Sequence, residues 1–291
     1  MNKLPVFASV GEVLSGVSRH YLQLVYASWP AILVLLLSFG AMNYLGADFY
    51  KASLADDQEA VKAAIEHLFS GGSGLGLIAL LLLFMLASAV AAVRWHRFVL
   101  LGEGTRGGYG QIPALRGEDG SYVWTWIKVM LLYLLLILVF MILMVIGAGF
   151  ARAVSGGEDL AGAAKAVLFL SITVVYLVVL TVFIRMMVAL PDAAVGGRGR
   201  VIETFRRTKG NSWRLLGAFL LLLLTAFILM LVASFVMGAL GMLGLAGTVI
   251  GGIVYAAAYL FSLMIQITML SVAYREIIGL PEDPRSPEVT A

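Results

Sequence analysis

The chain has 291 residues, 61% of them hydrophobic and 13% charged, with a mean hydropathy of +0.98; too little polar surface remains to cover a soluble globule, which marks an integral membrane protein. Cysteine is absent and the histidines are His20, His67 and His96, so disulfides and thiolate chemistry are excluded, a histidine-built metal site is disfavoured and no cofactor is expected. The formal net charge of +3 matters less than where the charges fall, because basic residues are retained on the cytoplasmic side of spans.

Residues 4–25 place Leu4, Phe7, Val10, Leu14, Val17, Tyr21 and Leu24 three or four apart, with Glu12, Ser15, Ser18 and Arg19 opposite. That pattern predicts an amphipathic helix lying in the interface; it lacks the basic start and cleavable apolar core of a signal peptide and is expected to be retained. No charge occurs from Tyr21 to Ala47, which predicts a first span at 27–47 with Trp29 and Tyr44 at its two interfaces. Over residues 48–70 the apolar stripe Tyr50, Leu54, Val61, Ile65 and Leu68, set among acidic residues, predicts a second interfacial helix on the opposite face.

Gly71, Gly72, Ser73 and Gly74 read as a flexible joint before a leucine-rich second span at 75–94, closed by Arg94, His96 and Arg97. Residues 102–122 read as a loop, whose Gly104 to Gly110 cluster lacks the preceding strand and the lysine of a nucleotide-binding loop. A third span follows at 125–149, with Lys128 snorkelling at its start and Trp124 and Trp126 as anchors. After a link containing Arg152, Gly156, Gly157, Glu158 and Asp159, the fourth span is expected at 164–187. About sixty uncharged residues from Leu215 to Tyr274 suit two crossings and a turn, placing spans at 214–237 and 248–273. The glycines from Gly238 to Gly252 mark the turn, with close helix approach as the competing reading. Pro284 and Pro287 predict a disordered tail at 282–291.

The fold class expected is therefore an all-α polytopic membrane protein with six transmembrane helices as three hairpins, within a single membrane domain of residues 1–281. Of the 20 basic residues, only Lys51, Lys62, Arg152 and Lys165 fall outside the side carrying both termini. The positive-inside rule makes that side cytoplasmic, since reversing one central arginine costs roughly 2.5–3.5 kcal/mol.

The longest charged segment between apolar runs, 185–214, repeats later in the chain: Arg185, Leu190, Pro191 and Asp192 share the spacing of Arg275, Leu280, Pro281 and Glu282. Arg97 and Glu103 form a shorter echo without the proline, and Ser28-Trp29 matches Ser212-Trp213. These echoes predict approximate repeats at 1–103, 104–192 and 193–282, each a hairpin with a cytoplasmic interfacial helix.

On Pro191, Ala193, Ala194, Gly196, Gly210, Trp213 and Arg214, the chain resembles the membrane domain attached to some bacterial glycerophosphodiester phosphodiesterases and related six-span inner-membrane families. In those, a proline, small apolar residues, a glycine and a short helix lead to Gly-x-x-Trp-Arg at the start of a span. The resemblance covers six spans with their interfacial helices. It implies a stand-alone membrane domain in a bacterial inner membrane. The acidic and histidine ligands of the phosphodiesterase domain are missing, so no hydrolase activity comes with it.

Candidate lipid-phosphate contacts are Arg94, Arg97, Arg185, Arg200, Arg206, Arg207 and Lys209, because guanidinium binds phosphate through parallel donors and basic residues near the surface attract anionic lipid. The competing reading is that span-end arginines snorkel and set topology. Gln266, with Ser262 and Thr268 nearby, is the candidate intramembrane polar site, read either as lining a substrate path or as an interhelical contact. Membrane lipids are the partners expected, and no nucleic acid. The role expected is non-catalytic, lipid-interacting or scaffolding. The alternative, a small-solute or lipid transporter or channel component, is weakened by the lack of Asp or Glu within the spans. An intramembrane enzyme ranks third, for want of a Ser/His or paired-carboxylate arrangement.

Overall fold

A computed structural model describes residues 3–55, 57–69, 71–103, 116–154 and 162–280. The Gly104 to Gly110 cluster, Gly156 to Asp159, Pro281, Glu282 and the tail 282–291 lie outside the described residues. The protein is all-α and polytopic. Five helices are long and apolar enough to cross a membrane: α5 (Gly71–Leu101), α6 (Gly117–Val154), α7 (Gly162–Met187), α10 (Ser212–Gly241) and α11 (Leu245–Ile277). A sixth crossing is counted if α1 (Val6–Ala27) and α2 (Trp29–Leu45) are taken together across the 86° bend between them.

That bend falls where the expected interfacial helix at 4–25 gives way to the expected span at 27–47. Ser28 leaves the helical region at φ −129°, and Pro30 in the first turn of α2 has no N–H to continue the ladder. The break is held shut from within: the Ser28 hydroxyl donates to Leu24 O at 2.8 Å and accepts from the buried Trp95 indole at 2.7 Å. Helix α1 is amphipathic as expected, and it packs across the ends of α5, α10 and α11. Its inward face is rotated from the expected stripe: Ser9, Val13, Val17 and Leu24 are buried, while Phe7 is 82% exposed.

The second interfacial helix is two helices, α3 (Ala47–Leu54) and α4 (Gln58–Phe69), packed on each other. Asp57 starts α4 by accepting the Ala60 N–H at 3.0 Å, which satisfies a donor at the new helix terminus. The glycines from Gly71 to Gly74 are not a joint, because α5 already begins at Gly71; the long apolar run that follows propagates back through residues that cost about 1 kcal/mol each relative to alanine. The loop expected to end at 122 is shorter, since α6 starts at Gly117, with Glu118 and Asp119 favourably placed in its first turn.

The turn between α10 and α11 centres on Gly244, at φ +83°. Close approach accounts for two further glycines of the series. A Cβ on Gly247 would stand 1.9 Å from Leu240 O, and one on Gly251 2.9 Å from Met237 Cα. The hairpins α10/α11 and α2/α5 pair extensively, whereas α6 meets α7 mainly near one end, where the Tyr133 and Phe183 rings lie 4.3 Å apart.

Packing is concentrated at that same end. The main core joins Leu4, Val13, Val17 and Leu24 to Trp95, Leu215, Leu222, Met264, Met269 and Ala273. Helix α6, about 57 Å long at 1.5 Å per residue, has no buried residue after Val129 among the described residues. The remaining surface of α6, with Leu131, Leu135, Leu138 and Ile142 outward, is suited to lipid.

Candidate functional site

The packed end is also the basic end, and its span-end cations hold the connecting segments onto the helices. On α5, Arg94 pairs with Asp119 at 3.2 Å, their side chains 8% and 4% exposed. Arg97 reaches Glu103 at 2.8 Å and Ala194 O at 3.0 Å. At the end of α7, Arg185 donates to Phe205 O and to Thr208 Oγ1 and stacks on the Phe205 ring, its guanidinium carbon 3.8 Å from the centroid. Arg214 donates to Leu4 O at 2.9 Å, and Arg275 grips Glu12 at 2.7 Å. The three echoing arginines, Arg97, Arg185 and Arg275, thus share one role: each ends a span by clamping a segment distant in sequence.

This geometry corrects the reading of Arg94, Arg97 and Arg185 as phosphate contacts. Their guanidinium groups are turned into protein, where carboxylates and carbonyls supply the acceptors a phosphate would offer. Glu103 feels the clamp, since its hydrogen bond to Arg97 holds its carboxyl below the ordinary value despite partial burial.

The remaining basic residues surround a scaffolded loop. Helix α8 (Ala189–Ala194), five of its six residues buried, is wedged among α5, α6, α7 and α11. Behind it Asp192 acts as a post: Oδ1 accepts the Tyr274 hydroxyl and Oδ2 accepts the Gly199 N–H, both at 2.9 Å. The turn from Val195 to Arg200 needs Gly196 at φ +91° and Gly199 at φ +54°. A Cβ on Gly199 would also stand 2.1 Å from Thr125 Oγ1 on α6. Lys128 completes the attachment by donating to Gly199 O at 3.3 Å. Helix α9 (Val201–Arg207) follows.

Two cavities flank this turn. One, about 810 Å³, has Leu131, Leu132, Val201 and Ile202 in its lining together with Lys128, Arg198, Arg200, Arg206 and Glu203. The other, about 270 Å³, is polar, with Asp192, Arg207 and Tyr274 across from Arg198 and Arg200. Arg198, Arg200 and Glu203 line both. Arg200 and Arg206 were expected at such a site from sequence; Arg207 joins only the polar side, and Lys209 lines neither. Lys128, Arg198, Asp192 and Tyr274 were missed as site residues. The Asp192 recurrence in the echo was the available signal for one of them.

Gln266 is half-buried on α11 and lines neither of these, nor the apolar cavity of about 430 Å³ between α5 and α6. A Ser/His pair absent from the sequence reading does occur: His96 Nδ1 lies 2.7 Å from Ser271 Oγ, and its Nε2 3.5 Å from the Tyr122 hydroxyl. Both His96 and Ser271 are fully buried, and the pair joins α5 to α11. No family model, curated protein or solved structure matches the chain.

Proposed function

We propose that this is a non-catalytic membrane protein that holds anionic phospholipid at its basic face, which the positive-inside rule assigns to the cytoplasm of a bacterial inner membrane. The observation that carries the reading is the cleft between α6 and α9, whose lining joins apolar side chains to four basic ones. Leu131 is 61% exposed on the lipid-facing part of α6, so an acyl chain enters from the bilayer without leaving an apolar environment. The phosphate then lies at the depth of Lys128, the first charge beyond the apolar run. Each basic residue near an anionic surface contributes roughly 1 kcal/mol, less in salt.

The test is to replace Arg198, Arg200 and Arg206 together with glutamine and to quantify anionic lipid retained through purification. The loss expected corresponds to roughly 3 kcal/mol at most, while Lys209→Gln, outside the cleft, leaves retention unchanged. Equal retention by both variants, each correctly inserted, would remove the cleft as a lipid site.

A further inference from the structure

The two cavities beside the turn adjoin as a pair of lobes, since Arg198, Arg200 and Glu203 line both. Their chemistry is divided. The larger lobe has an apolar share from Leu131, Leu132 and Ile202 and borders α6; the smaller lobe is polar and adds Asp192 to the Glu203 that both lobes share. A phosphate alone meets the arginines but gains nothing from the carboxylates, since acids beside a phosphate oppose it.

The carboxylates are partly used within the protein. Asp192 accepts from Tyr274 and Gly199, and Glu203 accepts from Arg200 at 3.0 Å. Each carboxylate oxygen has a second lone pair, so both still accept hydrogen bonds from a ligand. The group entering the polar lobe must therefore bring donors. Hydroxyls and an ammonium both qualify, and charge separates them. Across the two lobes, Lys128, Arg198, Arg200, Arg206 and Arg207 face only Asp192 and Glu203. That surplus of positive charge favours a ligand that remains anionic overall, and an ammonium would cancel the phosphate.

Resting on the lipid reading above, we infer that the site selects a glycerophospholipid with a polyol headgroup: acyl chains on Leu131, Leu132 and Ile202, phosphate among Lys128, Arg200 and Arg206, and headgroup hydroxyls on Asp192 and Glu203. The polar lobe of about 270 Å³ holds a three-carbon polyol and accompanying waters, each water occupying about 30 Å³. The ligand is a lipid and not a soluble polyol phosphate, because the larger lobe is the apolar one.

The full-length purified protein in detergent is titrated with phosphatidylglycerol, phosphatidate and phosphatidylethanolamine of identical acyl chains, with bound lipid counted by native mass spectrometry. Phosphatidylglycerol is expected to bind about tenfold more tightly than either other lipid, a difference of about 1.4 kcal/mol. Glu203→Gln should bring the phosphatidylglycerol-to-phosphatidate ratio down about threefold without weakening phosphatidate. Equal binding of phosphatidylglycerol and phosphatidate, or preference for phosphatidylethanolamine, overturns the headgroup assignment while leaving the cleft a lipid site. Binding that is indifferent to Arg200→Gln with Arg206→Gln overturns the lipid reading itself. Competition by soluble glycerol phosphate at the lipid's own concentration range would overturn the lipid as the source of the ligand.

Discussion

The Tyr274 hydroxyl donates to Asp192 Oδ1 at 2.9 Å, tying the end of α11 to α8 across 82 residues of sequence. The same carboxylate holds Gly199, so one side chain fixes both the last span and the turn that carries Arg198 and Arg200. Tyr274→Phe removes one hydrogen bond to a charged group and should cost about 1.5–3 kcal/mol. Asp192→Ala should cost more, because it also strands the Gly199 N–H. Thermal unfolding in detergent, followed by loss of the monodisperse peak, ranks the two variants.

The buried Arg94 and Asp119 pair predicts an asymmetry between breaking and replacing it. Asp119→Ala takes the paired carboxylate from a buried guanidinium that Arg97 and Arg116 already crowd with like charge, and should cost about 3–5 kcal/mol. Replacing both, with Arg94→Met and Asp119→Leu, should recover most of that loss. A double variant as unstable as Asp119→Ala would show that the pair does more than neutralise itself.

Close approach in the last hairpin is tested by two glycines five residues apart. Gly247→Ala drives a methyl onto Leu240 O and should cost about 1–3 kcal/mol by forcing the helices apart. Gly252→Ala meets nothing within 4 Å and should be neutral or stabilising, since alanine favours the helix by about 1 kcal/mol. Melting temperatures of the two variants decide it.

Acid sensitivity at the clamp follows from Glu103. Its carboxyl, held down by Arg97, is more acidic in the folded protein than the ordinary value of 4.5. Its contribution is therefore present above that value and is lost as pH falls through the folded one. Against Glu103→Gln, the native chain should have its largest stability advantage above pH 4.5, shrinking as the solution is acidified. An advantage that grows with acid would reverse the assignment.

Topology supplies a separate check, by reporter fusion at Ala60 and at Gly199. The basic turn should report from the cytoplasm and Ala60, in α4, from the other side. An external reporter at Gly199 is incompatible with the proposed orientation.

The spans were legible because a bilayer demands about 20 apolar residues and little else yields such runs. The change from interfacial helix to span near Ser28 was legible too, but its bracing was not: nothing in the local sequence shows that Trp95, reaching from α5, holds the break. The arginine clamps were hidden for a related reason. Arg94 finds Asp119 across 25 residues and Arg275 finds Glu12 across 263, and no periodicity encodes such partners. At the site, Arg200 and Arg206 stood out by charge. Asp192 and Tyr274 did not, since their use depends on the fold bringing α8 against α11.

The bonds of the first helix have a consequence for how the molecule is made. Leu4 donates to Asn211 and accepts from Arg214, and Glu12 waits for Arg275. A ribosome delivers the N-terminal segment first and its partners last. Helix α1 can therefore lean on α5 early, through Trp95 at Leu24 and Ser28, whereas its bonds to Asn211, Arg214 and Arg275 form only once the last two spans have been made.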